Sequence, residues 1–499
     1  MNYRLVCRHL ALLLAFFSAS VLTAVPVALW YQELHTLEAL FGSAAIGGCI
    51  SALFYLVGRE AKGDLYRRET MAIVGVSWLL AAAIGALPYL LGGMTPGSVC
   101  DAYFESMSGL TTTGSTILID IEGQARALLF WRAMTHFIGG LGIVVLFVVV
   151  LPEIGVGGKA LFKREVPGPF DETTTPRIRD TAITLFKLYL AFNIAEAIML
   201  MLAGMSLYDA TCHALATIAT GGFSTRNQSV YSFHNPAAEW IIIVFMFLSG
   251  TNFALHLEAL KGKFSSYWRD PEFRLYAAVT AGGATLAAIL IYFSNVTNPV
   301  DPLATPYVSN PGGFNLRDTL FMFFAVGTST GFGTVDYEGW PPVLRLVMLF
   351  LMVTGACAGS TSGGLKLVRV LTLARVLIHK IRVEVRPNLV QSMKLGGKVI
   401  PAHAVESVLV FSAIWVMILA AMSAAVTLLS PGQSILTSVS AVVTCMSNIG
   451  PGLEGVGPAA NFAAQTPMVK WLLSVTMLLG RLEIFSVAVL FSPRFWFPK

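Results

Sequence analysis

Charge is what this sequence has least of. Of its 499 residues only 12% are Asp, Glu, Lys or Arg, against 55% apolar, and the mean hydropathy is +0.70. So little charge excludes a set of soluble domains, and the length excludes a single helical hairpin. Cysteine is sparse too. Cys7, Cys49, Cys100, Cys212, Cys357 and Cys445 form no CxxC pair and lie mostly in or beside apolar runs, so neither a disulfide framework nor a thiolate metal site is indicated. HExxH is missing, as is a nucleophile with a nearby base, and no glycine motif follows a strand and opens a helix. These absences remove the common routes to an intramembrane enzyme, and to ATP or NAD binding by this chain.

What remains is long and apolar. At roughly 20 apolar residues per crossing, ten spans are expected, near 9–30, 36–58, 71–92, 126–151, 181–204, 238–259, 274–294, 341–378, 404–429 and 468–492. Arg4 and Arg8 precede an apolar stretch as in a signal peptide, but that stretch is long enough to span and a second follows at once, so it reads as an uncleaved first helix. The net charge of +5 is modest; its placement says more. Basic clusters follow the second span (Arg59, Lys62, Arg67, Arg68), the fourth (Lys159, Lys163, Arg164, Arg177, Arg179), the sixth (Lys261, Lys263, Arg269, Arg274) and the eighth (Lys366, Arg369, Arg375, Lys380, Arg382, Arg386, Lys394, Lys398). With ten spans all of these share one side, which the positive-inside rule makes cytoplasmic, and both termini join them.

Between the spans stand four short segments rich in glycine and hydroxyls: TTTGST (Thr111 to Thr116), ATGGFST (Ala219 to Thr225), TSTGFGT (Thr328 to Thr334) and SNIGPGL (Ser447 to Leu453). Their glycines, Gly114, Gly222, Gly331 and Gly450, are 108, 109 and 119 residues apart. Thirteen residues before each stand Asp101, Asp209, Asp318 and Thr437, residue types that cap helix N-termini. The pattern is span, re-entrant half-helix, glycine loop, span, four times after an N-terminal hairpin. Expected boundaries are 1–70 for the hairpin and 71–165, 166–265, 266–392 and 393–499 for the four repeats. A half-helix that stops inside the membrane points its partial negative charge at the centre and attracts a cation. Non-helical backbone at that depth must line a water-filled cavity or be buried in protein. Successive carbonyls that replace an ion's hydration shell need backbone angles that glycine adopts without a Cβ clash. The set therefore reads as four pore loops. The expected ion-binding residues are Thr112, Thr113 and Gly114; Thr220, Gly221 and Gly222; Ser329, Thr330 and Gly331; and Asn448, Ile449 and Gly450. Thr112, Thr220 and Ser329 would add hydroxyls at the inner end, and Asn448 an amide.

Aligned on their glycines, TTGST, TGGFS, STGFG and NIGPG each resemble the potassium-channel filter TVGYG. With GACAGSTSGGLKLVRVL (Gly355 to Leu371) and LLGRLEIF (Leu478 to Phe485), the chain resembles the Trk/Ktr/HKT superfamily of potassium transporters, TrkH/TrkG type, over essentially its whole length. The resemblance implies an all-α polytopic fold of four helix–pore-loop–helix units with pseudo-fourfold symmetry plus the N-terminal hairpin. It also implies a homodimer in lipid, cytosolic nucleotide-binding regulatory subunits of the TrkA kind, and K+ as the transported ion. No tightly bound cofactor and no nucleic acid are expected. Multi-pass insertion in a bacterial inner membrane follows. The competing reading is a sodium-permeable or weakly selective pore, as in plant relatives whose first filter glycine is serine; Gly114 favours potassium.

Two further features stand out. Gly355, Gly359, Ser360, Thr361, Ser362, Gly363 and Gly364 crowd the eighth span, a composition that should break the helix and leave a gating loop beneath the filter. A phosphate-loop reading of GSTSGGLK fails, because Lys366 lies one residue too far on. Arg481 stands in the last span, where a lone charge is expensive. It is expected below the filter, near that loop, as a barrier to cations. Glu105 and His213 sit nine residues before their glycines, and His136, Glu196 and His256 lie in spans, as packing partners or as parts of a proton or sodium path. Trp131, Trp240, Trp340 and Trp471 read as interfacial anchors.

Overall fold

The structure is a computed structural model. It describes residues 1–496 apart from 64, 96, 143–174, 294–315, 387–393, 397, 400, 485–486, 488–489 and 491. Lys159, Lys163 and Arg164 thus lie outside the described residues, as does the end of the fourth expected span.

Helix α1 (Tyr3–Val21) continues through a 3-10 turn into α2 (Val25–Trp30), and α3 (Leu34–Gly58) returns against it. The two ends of the chain meet: Tyr3 Oη donates to the Trp496 carbonyl, Arg68 to that of Phe495, and Leu5, Met71 and Phe495 share one apolar cluster. Four units follow the hairpin. The first is α4 (Arg67–Leu91), α5 (Val99–Leu110) and α6 (Arg126–Leu141). The second is α7 (Thr175–Leu202), α8 (Leu207–Ile218) and α9 (Pro236–Gly250) with α10 (Phe253–Leu260). After α11 (Ser265–Arg269), the third has α12 (Pro271–Ala277) running through a π turn into α13 (Gly283–Phe293), then α14 (Leu316–Gly327), α15 (Pro342–Thr354) and α16 (Leu367–Val385). A two-residue pairing of β1 (Lys394–Leu395) with β2 (Lys398–Val399) leads into the fourth, α17 (Ala402–Leu429), α18 (Ile435–Ser447) and α19 (Pro467–Arg481), and α20 (Pro493–Trp496) follows.

The units close on themselves. Each leaving helix packs on the short helix of the next unit: α6 on α8, α9 on α14, α15 on α18, and α19 back on α5.

The short helices α5, α8, α14 and α18 have 12, 12, 12 and 13 residues, about 18 Å each and little more than half a bilayer core. Their caps differ from expectation by one turn. Ser98, Ser206 and Ser434 are the N-caps, their hydroxyls accepting from the amides of Asp101 (3.2 Å), Asp209 (3.0 Å) and Thr437 (3.0 Å). Asp101, Asp209 and Thr437 are third helical residues, as Asp318 is in α14. A short polar or acidic side chain there complements the orphan donors and the positive end of the dipole.

Among the described residues six helices are long and apolar enough to cross a membrane, seven if α9 and α10, bent by 99°, count as one span. Ten were expected. The sixth run bends at Thr251, where Asn252 caps α10 by accepting from Ala254 N at 2.9 Å. The eighth breaks after Thr354, as its composition requires, and the tenth helix ends at Arg481. Trp240 and Trp471 are 46% and 42% exposed, as anchors should be, but Trp131 and Trp340 are buried. Trp131 donates to the Gly85 carbonyl inside the bundle, so these two are core residues.

Candidate functional site

The four glycine segments converge. A Cβ on Gly114 would stand 2.1 Å from the carbonyl oxygen of Gly221, one on Gly222 2.0 Å from that of Thr330, and one on Gly331 1.8 Å from that of Ile449. A Cβ on Gly450 would stand 3.0 Å from the Thr113 oxygen and close the circuit. Each wall thus presses its glycine against the peptide just before the next wall's glycine, in chain order, and a cavity of about 90 Å³ touches all four glycines.

Backbone conformation repeats around the ring. The glycines have φ of 83°, 79°, 79° and 105°, and two residues before them Thr112, Thr220, Ser329 and Asn448 have φ of 52°, 54°, 57° and 53°. Left-handed backbone is a genuine outlier for a β-branched threonine and costs about 1–3 kcal/mol, and the residue type at Thr112 and Thr220 does not announce it. Its effect is directional. The amides of Thr112 and Thr113 bond back to Gly109 and Ser108, those of Thr220 and Gly221 to Thr217 and Ala216, those of Ser329 and Thr330 to Val326 and Ala325, and those of Asn448 and Ile449 to Cys445 and Thr444. This is the pattern that ends a helix on a left-handed residue. With the N–H groups turned outward to the short helices, the carbonyls turn the other way. Among the described residues no donor reaches the carbonyl oxygens of Thr112, Thr113, Gly114, Thr220, Gly221, Gly222, Ser329, Thr330, Gly331, Asn448 or Ile449. Buried carbonyls are almost always satisfied, and a ring of unsatisfied ones at four converging helix C-termini has the chemistry to coordinate a cation.

The fourth wall departs from the others. The Gly450 carbonyl is taken by Thr444 Oγ1 (2.9 Å) and Ser115 Oγ (3.1 Å). Asn448 does not offer its amide to the axis: Nδ2 donates to Thr113 Oγ1 (2.9 Å) and to the Met477 carbonyl (3.0 Å), tying wall four to wall one and to α19. Thr220 Oγ1 donates to the adjacent Ala219 carbonyl, while Thr112 Oγ1 is buried without a partner among the described residues.

Directly against the ring lies the non-helical stretch Gly355–Lys366. Ser329 Oγ accepts from Gly363 N (2.8 Å) and lies 3.0 Å from Ser362 Oγ, and a Cβ on Gly363 would stand 2.2 Å from the Ser447 carbonyl. Thr361 Oγ1 donates to the Ile218 carbonyl at the end of α8 (3.0 Å), Phe253 N donates to the Gly359 carbonyl (3.1 Å), and Cys357 N donates to that of Gly250 (3.1 Å). Ser360 Oγ bonds within the turn to Cys357, and Gly355, Gly359 and Gly364 have positive φ. Arg481 reaches the same stretch. It is the last residue of α19 rather than a mid-span residue, 6% exposed; Nη1 donates to the Thr361 carbonyl (2.6 Å) and Nη2 to Gly139 of α6 (3.1 Å). Its sequence neighbour Glu483 pairs with Arg369 of α16 at 2.7 Å.

With this geometry in place, the TrkH family model, described as a cation transport protein, matches residues 38–496. The chain belongs to the TrkH family. It is 37% identical over 501 residues to the Trk system potassium uptake protein TrkH of Salmonella typhimurium strain LT2, covering 99% of this chain and 100% of that one. It is 33% identical to the Trk system potassium uptake protein TrkG of Escherichia coli K12, with 99% of each chain covered. The crystal structure of the potassium transporter TrkH from Vibrio parahaemolyticus matches with a TM-score of 0.84 at 33% identity, over 99% of this chain and 100% of that one.

In this TrkH family member the intramembrane polar residues form a scaffold behind the ring. Glu105 is fully buried: Oε1 accepts from Arg132 Nε (2.5 Å), and its two oxygens take Thr116 Oγ1 and Ile117 N of the outgoing strand. Arg132 donates onward to the Ser224 carbonyl (3.0 Å) and lies over the Phe223 ring, which links unit one to unit two. His136 bridges the Gly109 carbonyl and Phe223 N, and His213 bridges the Asp209 carbonyl and Ser224 Oγ. His256 lies further off, between Tyr267 and Leu248, and Glu196 is buried on α7 beside the Thr217 hydroxyl. In the loop beyond the ring, Glu454 accepts from the Ser434 hydroxyl and from Thr437 Oγ1 (3.0 Å), and these donors hold its carboxyl below the usual range. Arg132 was missed by sequence reasoning; its single charge in an apolar run was the available signal. Glu105→Ala strands a buried guanidinium, so we expect a loss of about 3–5 kcal/mol, read as a lowered thermal unfolding midpoint of the solubilised protein. Adding Arg132→Met should recover part of it, and an unchanged midpoint in the single variant would remove the pair from the scaffold.

Proposed function

We propose that this chain takes up potassium across a bacterial inner membrane, conducting the dehydrated ion through the ring at Thr112–Gly114, Thr220–Gly222, Ser329–Gly331 and Asn448–Gly450. The observation that carries this reading is the set of unsatisfied carbonyls on four converging walls, since oxygen dipoles of that number and direction replace the hydration shell of a large alkali ion. Potassium uptake by the relatives supports it. The segment Gly355, Gly359, Ser360, Thr361, Ser362, Gly363 and Gly364 is the gate, with Arg481 as an electrostatic barrier beside it. Both termini are cytoplasmic, in keeping with their meeting at one end of the bundle. The relatives belong to a Trk system, and this chain acts as a homodimer with a cytosolic nucleotide-binding subunit of the TrkA kind.

Reversal potentials in bilayers under opposed potassium and sodium gradients test the proposal. The expected result is a reversal potential close to that of potassium. A value midway between the two ions would replace this reading with a weakly selective monovalent cation pore.

A further inference from the structure

The gate has an anchor that belongs to none of the ring walls. Glu272 is the second residue of α12 and is 7% exposed. Its Oε1 accepts from Ala358 N at 2.7 Å and from Val368 N at 2.9 Å. Those amides stand on either side of Gly359–Lys366, so one carboxylate oxygen draws together the two shoulders of the intramembrane loop. Val368 N is an orphan donor in the first turn of α16, and Lys366 at the N-cap position supplies no side-chain acceptor. A carboxylate from another element fills that role, where it also meets the positive end of the helix dipole. Among the described residues no other carboxylate accepts from an amide of this stretch. Immediately before Glu272, the Pro271 ring lies against the turn of the β1–β2 hairpin: a Cβ on Gly396 would stand 3.1 Å from Pro271 Cδ.

We propose that Glu272 is the positioning residue that holds the gate closed, clasping both shoulders of the loop through one oxygen. This rests on the reading of Gly355–Gly364 as the gate. When the carboxylate is ionised each bond is charge-assisted and therefore stronger than a neutral one. Both are lost together when the carboxylate is removed, whereas the ties of Ser329 and Arg481 to the loop remain.

The test uses the full-length protein in proteoliposomes, with potassium flux and amide exchange of the segment 355–368 measured for Glu272→Ala, Glu272→Gln and a deletion of Gly359–Gly364. Glu272→Ala should accelerate exchange and raise basal flux at least about tenfold, the change that losing one charge-assisted bond brings to a two-state equilibrium, with the reversal potential unchanged. Glu272→Gln keeps an acceptor oxygen without the charge and should fall between the two. Where the alanine variant is lost from the membrane fraction, the isosteric glutamine variant carries the same readouts. Unaltered exchange would overturn the clasp. Faster exchange without a change in flux, while the deletion does raise flux, would overturn the positioning role and leave the gate standing. If the deletion also leaves flux unchanged, the gate itself is refuted and the assignment falls with it.

Discussion

Gly331→Ala should reduce potassium-selective flux roughly 100-fold or more. Its new Cβ would be placed 1.8 Å from the Ile449 oxygen, at a φ of 79°. The left-handed backbone alone costs a residue with a Cβ about 1–2 kcal/mol. The overlap adds displacement of an oxygen that has to face the ion. A flexible side chain could turn aside; the backbone of Ile449, whose own N–H is fixed to the Thr444 carbonyl of α18 (3.0 Å), has no such freedom. The same argument ranks the ring. Clearances of 2.0 Å at Gly222 and 2.1 Å at Gly114 predict losses nearly as severe, whereas 3.0 Å at Gly450, whose carbonyl is already engaged by two hydroxyls, predicts the mildest. Rubidium uptake into proteoliposomes, with permeability ratios against sodium, measures the series. Wild-type selectivity in Gly331→Ala, or a series led by Gly450→Ala, would mean that the ring is not the filter.

Arg481→Gln is expected to act in the opposite direction and raise conductance. A unit charge within about 8 Å of a passing cation, at an effective dielectric constant of 20, opposes it by about 2 kcal/mol, a factor of roughly 30. Arg481 also ties the Thr361 carbonyl to that of Gly139, so it can obstruct by charge or by holding the loop in place. Arg481→Lys separates the two. An ammonium keeps the charge but not the fork that spans two carbonyls; flux near the parent value would assign the effect to charge, and flux near that of the glutamine variant would assign it to the tie. Single-channel conductance and open probability give the readout, and no change in Arg481→Gln would remove both roles.

The repeat was legible because it occurs four times. One glycine turn says little, but Gly114, Gly222, Gly331 and Gly450 in register, with polar residues thirteen places earlier, place the short helices and their order. Their starting points were not legible to the residue: serine and aspartate are comparable caps, and only the structure shows Ser98, Ser206 and Ser434 in that role, with Asp101, Asp209 and Thr437 one turn in. The bend after Gly250 had a local signal in Thr251 and Asn252, which the surrounding apolar run outweighed. The left-handed threonines had none, since Thr112 and Thr220 adopt a conformation their own chemistry disfavours and only the tertiary setting imposes it. Nor could sequence pair Glu105 with Arg132, or Glu272 with Ala358 and Val368; those contacts join distant parts of the chain.

One polypeptide furnishing all four sides of the aperture has a genetic consequence. In an assembly of identical copies a single codon change is imposed on every side at once, whereas here it alters one quadrant and leaves three untouched. Natural variation can therefore retune this opening in finer increments than a four-copy channel permits. The quadrant containing Gly450, with its looser fit, is where such drift meets the least resistance.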